Sequence, residues 1–326
     1  MDAAIGLVAA GLRVEPYAER IGGSWRPGGT LEYPPALALI QVFALPALLR
    51  GMLGGRRLGS LAAAGGVGLA AGAIALADSR AEIALAVVVL GLAVVWPGRT
   101  VRAGRSDALL AGVVAVGAAL AARLALGGYA FPGATEGDLG RLALLAAVVA
   151  GTVLVWGVIG RLRERNRSIV SAVAVIAVLG VGVMAGLSIA QRTAGPWTEP
   201  SSGFTHGRED QWRAAIDTAL DHPVLGVGAD AYLRASAASQ VSRYAHDLPL
   251  EGWAELGPLG LALVLALGAF TGLMVWRIRT DPRAWLVAPA AAAFLLANLV
   301  DWPWHLAGVG AVWAMALGAC VAIDRA

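Results

Sequence analysis

GFTHGREDQWRAAIDTALDHPVLGVGADAYLRASAASQVSRYAHDLPLEGWAELGPLG, from Gly203 to Gly260, is the only long interruption in a chain that otherwise alternates apolar runs with brief polar breaks. It holds three of the four histidines, His206, His222 and His246. The runs on either side of it decide the fold. Over the whole chain 58% of residues are hydrophobic and only 14% charged, whereas soluble domains carry about a quarter charged residues. A bilayer takes about 20 apolar residues per helix. Spans are predicted near 35–53, 58–77, 81–97, 107–126, 142–160, 168–190, 256–276, 284–300 and 306–323. Each must be helical, because lipid offers backbone amides no partner. The expected fold is therefore all-α: a polytopic transmembrane helix bundle of about nine spans with a large helical extracytoplasmic loop. Abundant glycine and alanine in the spans suit close helix–helix packing.

Orientation follows from arginine. Lysine is absent, so all 25 basic residues are arginine. The breaks after alternate spans read RGMLGGRR (50–57), PGRTVRAGR (97–105), RLRERNR (161–167) and RIRTDPR (277–283), and with Arg325 they hold fourteen arginines. The opposite breaks, ADSRAE, GGYAFPGATEGD, the long loop and DWPWH, are poorer in arginine or acidic. The positive-inside rule places the first set in the cytoplasm. The expected organisation is an extracytoplasmic segment over 1–34, six spans over 35–190, the extracytoplasmic loop over 191–255 and three spans over 256–326. That puts the N-terminus outside with no span before it. Either the count is off by one helix, or full-length relatives have further spans ahead of this segment. The first residues lack the basic start of a signal peptide, and Cys320 has no cysteine with which to form an intramolecular disulfide.

Within the long loop, Trp212, Ile216 and Leu220 recur every four residues and form an apolar stripe. This predicts an amphipathic helix lying along the membrane surface, stopped by Pro223 and Gly226. The Gly226-Val227-Gly228 run reads as a tight turn, being too short for a nucleotide-binding fingerprint. A second short helix is expected over 229–244. Between Arg192 and Glu255 five arginines stand among nine acids, so the loop is no polybasic patch, and anion binding falls to individually placed arginines. Arginine suits that task through its planar, permanently charged fork.

The order Gly207-Arg208, Trp212, Ala214-Ala215, Pro223-x-x-Gly226-Val227-Gly228, Ala245-His246-Asp247, Glu255-Leu256-Gly257 and Gly260 resembles the hallmark segment of the O-antigen ligase and polymerase superfamily. Those proteins are polytopic bacterial membrane glycosyltransferases. Their large extracytoplasmic loop ends in a His-Asn pair and a Glu-x-Gly-x-x-Gly helix start. Tyr33-Pro34, Ser79-Arg80 and Leu299-Val300-Asp301-Trp302 resemble the family's other outer motifs, so the likeness spans nearly the whole chain. Two residues depart from the pattern: Asp247 replaces the usual Asn, and Pro35 replaces the Asn expected after Tyr-Pro. An acid at 247 is expected to raise the pKa of His246 or to oppose a phosphorylated donor.

The resemblance implies transfer of a polyprenyl-diphosphate-linked glycan to an acceptor hydroxyl, outside the cytoplasmic (inner) membrane. It casts His246 and Arg208 as catalytic, with Arg80 and Arg208 on the diphosphate and His246 at the acceptor. Without it, Arg208 reads as a solvated charge and Arg80 as a snorkelling residue between Asp78 and Glu82, while His246 reads equally as a helix-start histidine bonded to backbone or as a base or phosphate ligand. Glu255, Asp301 and Arg243 are further candidates, although on a continuous helix Glu255 would face away from His246. Arg123 reads as a snorkelling charge. No cofactor and no metal are expected, since no paired-cysteine, HExxH or aspartate-rich motif occurs. The expected partners are the lipid-linked donor, a glycan, lipid or protein acceptor and the bilayer, with no nucleic acid. Two alternatives stand beside this reading. One is a transporter for inorganic carbon or another small anion, as assigned to some relatives. Its charges should lie near the bilayer midplane, whereas here they crowd at the outer ends. The other is an inactive or truncated homologue.

The arginine alternation makes a direct prediction. A cysteine introduced at Ser236 should react with an impermeant thiol reagent added to intact cells, and one at Asn166 should not. Reversed labelling would overturn the orientation.

Overall fold

Apolar runs fold as helices throughout the computed structural model, which describes residues 1–21, 24–54, 56–95, 105–126, 138–165, 208–235 and 243–326. The chain divides into two units, Met1–Ala185 with Thr280–Ala290 and Gly186–Arg279 with Ala291–Ala326. Among the described residues six helices are long and apolar enough to cross a membrane.

The first unit contains α1 (Asp2–Leu12), a hairpin of β1 (Ala18–Ile21) and β2 (Ser24–Pro27), and α2 (Pro34–Gly54), α3 (Arg57–Ala77), α4 (Arg80–Val95), α5 (Arg105–Leu126) and α6 (Asp138–Arg165). The strands pair antiparallel, Ala18 opposite Pro27 and Ile21 opposite Ser24, so the N-terminal segment is not purely helical. Small residues build the interior: Ala64, Ala70, Ala71, Ala73 and Ala77 of α3 are buried, which lets neighbouring backbones approach closely. Polar ties join the helix ends. Asp78, left-handed at the end of α3, pairs with Arg123 at 2.7 Å and Arg26 at 3.3 Å. Arg123 also donates to the Ala75 carbonyl at 2.9 Å. It is thus a tie between α5 and α3, not a snorkelling charge.

The expected count of about nine spans is not reached among the described residues. The run 168–190 lies outside them. The run 81–97 is a helix of 16 residues, Arg80–Val95. The run 284–300 is broken into a 3-10 turn, Pro282–Leu286, and the ten-residue α10 (Ala288–Ala297). Pro289 explains the restart, since the ring has no N–H and fits only a first helical turn. Asn298 explains the stop: its side-chain amide donates to the Phe294 carbonyl at 2.8 Å and its oxygen accepts the Trp304 N–H at 2.8 Å.

The second unit contains α7 (Arg208–Asp221), the single turn α8 (Tyr232–Ala235), α9 (Leu248–Ile278) and α11 (Ala307–Asp324). Of the expected helix over 229–244 only 232–235 is helical among the described residues; 236–242 fall outside them. The face α7 buries also differs from the expected stripe. Ala215 and Ala219 pack on Tyr232, Ala245 and Ala254, while Leu220 is exposed. Helices α9 and α11 leave many large apolar side chains exposed, among them Leu259, Leu263, Phe270 and Met315, as lipid-facing surfaces do. Their C-terminal ends are tied by Arg277 to Asp324 at 2.9 Å.

Helix α9 is interrupted at Gly257, whose φ of 64° and ψ of −156° are not helical. Pro258 has no N–H for the Ala254 carbonyl. The turn at 226–228 supplies the missing donors, Val227 N–H to Ala254 at 3.0 Å and Gly228 N–H to Glu255 at 2.8 Å. This contact requires glycine: at Gly226, φ is 65° and a Cβ would lie 2.4 Å from the Glu255 carbonyl. Beyond the break, residues 258–278 cover about 31 Å as helix, one hydrocarbon thickness. Gly226→Ala should therefore lower stability by more than about 1 kcal/mol, whereas alanine at an open helical glycine is neutral to stabilising by up to about 1 kcal/mol. Gly268, with nothing within 4 Å of its Cβ position, is the control. Thermal unfolding in detergent checks both; equal midpoints would show that the docked turn carries no stability.

Candidate functional site

The site gathers at the start of α9 and the turn that precedes α11. Asp247 begins α9 as a cap: it has extended backbone, its carboxylate accepts the Leu250 N–H at 2.8 Å, and Pro249 occupies the first turn. Either Asp or Asn can make this bond. Burial raises the Asp247 pKa, the Leu250 N–H opposes that rise, and Glu251 adds to it. The departure from the His-Asn pattern thus leaves the helix start intact.

His246, just before the cap, sits in the left-handed region with φ 55°, where histidine is enriched among non-glycine residues. Its Nδ1 lies 3.1 Å from the Tyr244 carbonyl. A carbonyl only accepts, so Nδ1 carries the proton and Nε2 keeps its lone pair in the neutral ring. Nε2 lies 3.9 Å from Asp301 Oδ1, and Arg208 Nη2 lies 3.7 Å from the same oxygen. Asp301 is nearly fully buried, with 1% of its side chain exposed, against 24% for Arg208. Its Oδ1 also accepts the Trp302 N–H at 2.9 Å. Burial pulls the His246 pKa below its ordinary 6.5; Asp301 pushes it up, Arg208 down, and Glu251 up. The acid beside the ring is Asp301 rather than the expected Asp247, and desolvation outweighs it.

Arg208 opens α7, and the same helix holds the histidine loop: the Trp212 indole N–H lies 3.5 Å from the His246 carbonyl. Tyr232 pins the other side. Its hydroxyl donates to the Gln211 carbonyl at 2.9 Å and its N–H to Glu255 at 3.2 Å. Burial, then Glu251, pushes the Tyr232 pKa up to about 12, so this phenol stays a neutral donor. Glu255 is accordingly a tie for the 230–232 backbone, not a partner of His246. Arg243 lies over the Tyr244 ring at 5.5 Å. His222 Nδ1 meets the Thr218 carbonyl at 3.3 Å at the end of α7, and His206 lies outside the described residues. Arg80 begins α4 in the first unit, beside a hydrogen bond from the Ser79 hydroxyl to the Glu82 carboxylate.

Glu251 was not among the expected site residues. It is a buried acid on the first turn of α9, 2.5 Å from His305 Nε2 and 2.8 Å from the Ala245 nitrogen. An acid inside a membrane-entering apolar run is a functional signal by itself, and could have marked it. Tyr244 and Trp302, stacked with ring centroids 5.0 Å apart, carried no such signal.

Apolar helices with a polar cluster at the N-terminal ends of two of them define a multi-pass helical membrane protein. Residues 138–265 match the family model for O-antigen ligase, which supports the resemblance to the O-antigen ligase/polymerase superfamily. The match includes Arg208 and His246; Asp301 and His305 lie beyond it. No curated protein and no solved structure matches the chain.

The direction of the His246 shift is directly measurable. In detergent-solubilised protein with isotope-labelled histidine, the His246 ring should titrate below 6.5. Asp301→Asn removes the largest influence that raises its pKa and should move the titration lower still. A midpoint above that of a free histidine would contradict the desolvated environment described above.

Proposed function

We propose that this protein is a membrane glycosyltransferase of the O-antigen ligase/polymerase type. It transfers a polyprenyl-diphosphate-linked glycan to an acceptor hydroxyl on the outer side of the cytoplasmic membrane, with the 191–255 loop on that side. The observation that carries the reading is the convergence of Arg208 and His246 on the buried Asp301 carboxylate, with both residues inside the family-matched segment.

On this reading the acceptor oxygen attacks the anomeric carbon of the donor sugar. The carbon–oxygen bond to the diphosphate breaks, and its electron pair leaves with the diphosphate. Arg208 stabilises that charge, which is most effective where water is scarce. His246 receives the acceptor proton on Nε2. Its lowered pKa keeps the ring neutral at pH 7, as a base requires.

Deleting the gene should cause polyprenyl-linked glycan to accumulate in the membrane. With that glycan as donor, Arg208→Lys and His246→Ala should each slow transfer by purified protein a few hundredfold or more, about 3–4 kcal/mol. Lysine keeps the charge but loses the fork. Arg234→Lys, at an exposed position of the single turn α8, should cost almost nothing, and EDTA should not inhibit. Wild-type rates in both Arg208→Lys and His246→Ala would place the site elsewhere.

A further inference from the structure

We infer that Glu251 and His305 are positioning residues that fix the backbone and tautomer of His246, acting through Ala245 and Tyr244. This rests on the proposed role of His246 as the proton acceptor.

Four contacts make the chain. Glu251 Oε2 accepts the Ala245 N–H at 2.8 Å, immediately before His246. Glu251 Oε1 pairs with His305 Nε2 at 2.5 Å. The His305 ring stacks on Tyr244, centroids 3.9 Å apart and planes 23° apart. The Tyr244 carbonyl accepts from His246 Nδ1 at 3.1 Å. One buried carboxylate therefore grips the His246 loop twice, once through the backbone and once through a stacked ring. Trp302, also stacked on Tyr244, extends the grip to the residue beside Asp301.

The loop needs such a grip. A non-glycine residue in the left-handed region is strained, and persists only where its surroundings over-determine it. His246 is in that region, and among the described residues the ring contact that selects its tautomer is the Tyr244 carbonyl. If Tyr244 shifts, Nε2 can take the proton, and the lone pair facing Arg208 and Asp301 is lost. Glu251 is suited to its task because an ionised carboxylate accepts from two N–H groups at once. Glutamine in its place offers one acceptor oxygen and an N–H, so it can satisfy Ala245 or His305 but not both. The charged groups facing His246 are Asp301, Arg208 and Glu251, and removing the Glu251 charge takes away an influence that raises its pKa.

The test uses Glu251→Gln, His305→Gln and His305→Ala in the full-length protein, with His246→Ala for comparison. Ring 15N shifts report the His246 tautomer. Transfer is measured with the polyprenyl-linked glycan extracted from the deletion strain, and with an envelope extract of that strain as acceptor. Wild type should show His246 protonated on Nδ1, and both glutamine variants a mixed tautomer. Both should lower kcat about tenfold or more at unchanged donor KM, since a wrong tautomer disables a histidine base. In Glu251→Gln the acid limb of the rate should move to lower pH. Added imidazole should rescue His246→Ala and not His305→Ala. Wild-type tautomer and kcat in both glutamine variants would overturn the inference. So would imidazole rescue of His305→Ala, which would place His305 at the reacting hydroxyl. If Glu251→Gln fails to fold, the two His305 variants decide alone. If wild type transfers nothing, the proposed function fails, while the tautomer measurement still tests the positioning.

Discussion

A helix that enters lipid cannot leave carbonyls unpaired, because each unsatisfied group there costs several kcal/mol. Helix α9 breaks this rule at its upper end. Pro258 offers no N–H to Ala254, and the turn of the backbone at Gly257 takes Glu255 out of the helical ladder. The partner for these two carbonyls is the Gly226–Gly228 turn, bonded to both. From that junction the rest of the second unit follows. The turn continues back into α7, whose small residues pack against the α9 start, and α7 carries Arg208 and Trp212 to the histidine loop. A backbone requirement at a kink is thereby converted into the placement of side chains that never touch it. The glycine-rich patterns on either side, Pro-x-x-Gly-Val-Gly and Glu-x-Gly-x-x-Gly, are two halves of this one contact.

Helix positions were largely legible because an apolar run of sufficient length has few other ways to satisfy its backbone. The breaks were less so. Counting apolar residues starts the seventh predicted span at 256, yet α9 begins at Leu248. An aspartate cap with proline two residues later is a start signal inside what looks like polar loop. The ten-residue α10 has the hydropathy of a span but is bounded by Pro289 and Asn298, whose effects depend on local geometry more than on composition. On α7 the sequence stripe marks the large residues, whereas the buried face uses Ala215 and Ala219. Close approach to α9 selects small side chains, and an exposed leucine is ordinary beside a membrane. The hairpin at 18–27 was signalled by Gly22-Gly23 between two short runs, a cue too weak to stand out in a chain this rich in glycine.

Single site residues could be read in order along the chain; their pairings could not. Asp247 follows His246 directly, and sequence distance makes it the natural electrostatic neighbour. The left-handed backbone at His246 and the capping bond of Asp247 undo that expectation. The ring instead meets Asp301, 55 positions later, through a contact no local pattern encodes. Glu251 was hidden for a related reason. It lies ahead of the span predicted from 256, in what reads as loop, and its partners, Ala245 behind it and His305 far ahead, are joined only when α9 and the turn before α11 come together.

The placement of Asp301 bears on how such a site would take a diphosphate. A nearly buried carboxylate next to an anion site appears counterproductive, since like charges repel strongly where water is scarce. Its distances argue otherwise. At 3.7 Å the Arg208 contact is an ion pair beyond hydrogen-bond length, so Asp301 aims the guanidinium without saturating it. Charge-assisted bonds to phosphate oxygens form at about 2.7–2.9 Å and can be bidentate. On the proposed reading a diphosphate therefore outcompetes Asp301 for the fork, and the carboxylate still faces His246. That is the state in which a proton arriving on Nε2 is best stabilised: the Arg208 charge is engaged by phosphate, and the Asp301 carboxylate, 3.9 Å from Nε2, pairs with the imidazolium. One buried acid then serves both halves of the reaction, holding the arginine before the donor binds and the histidine after the acceptor reacts.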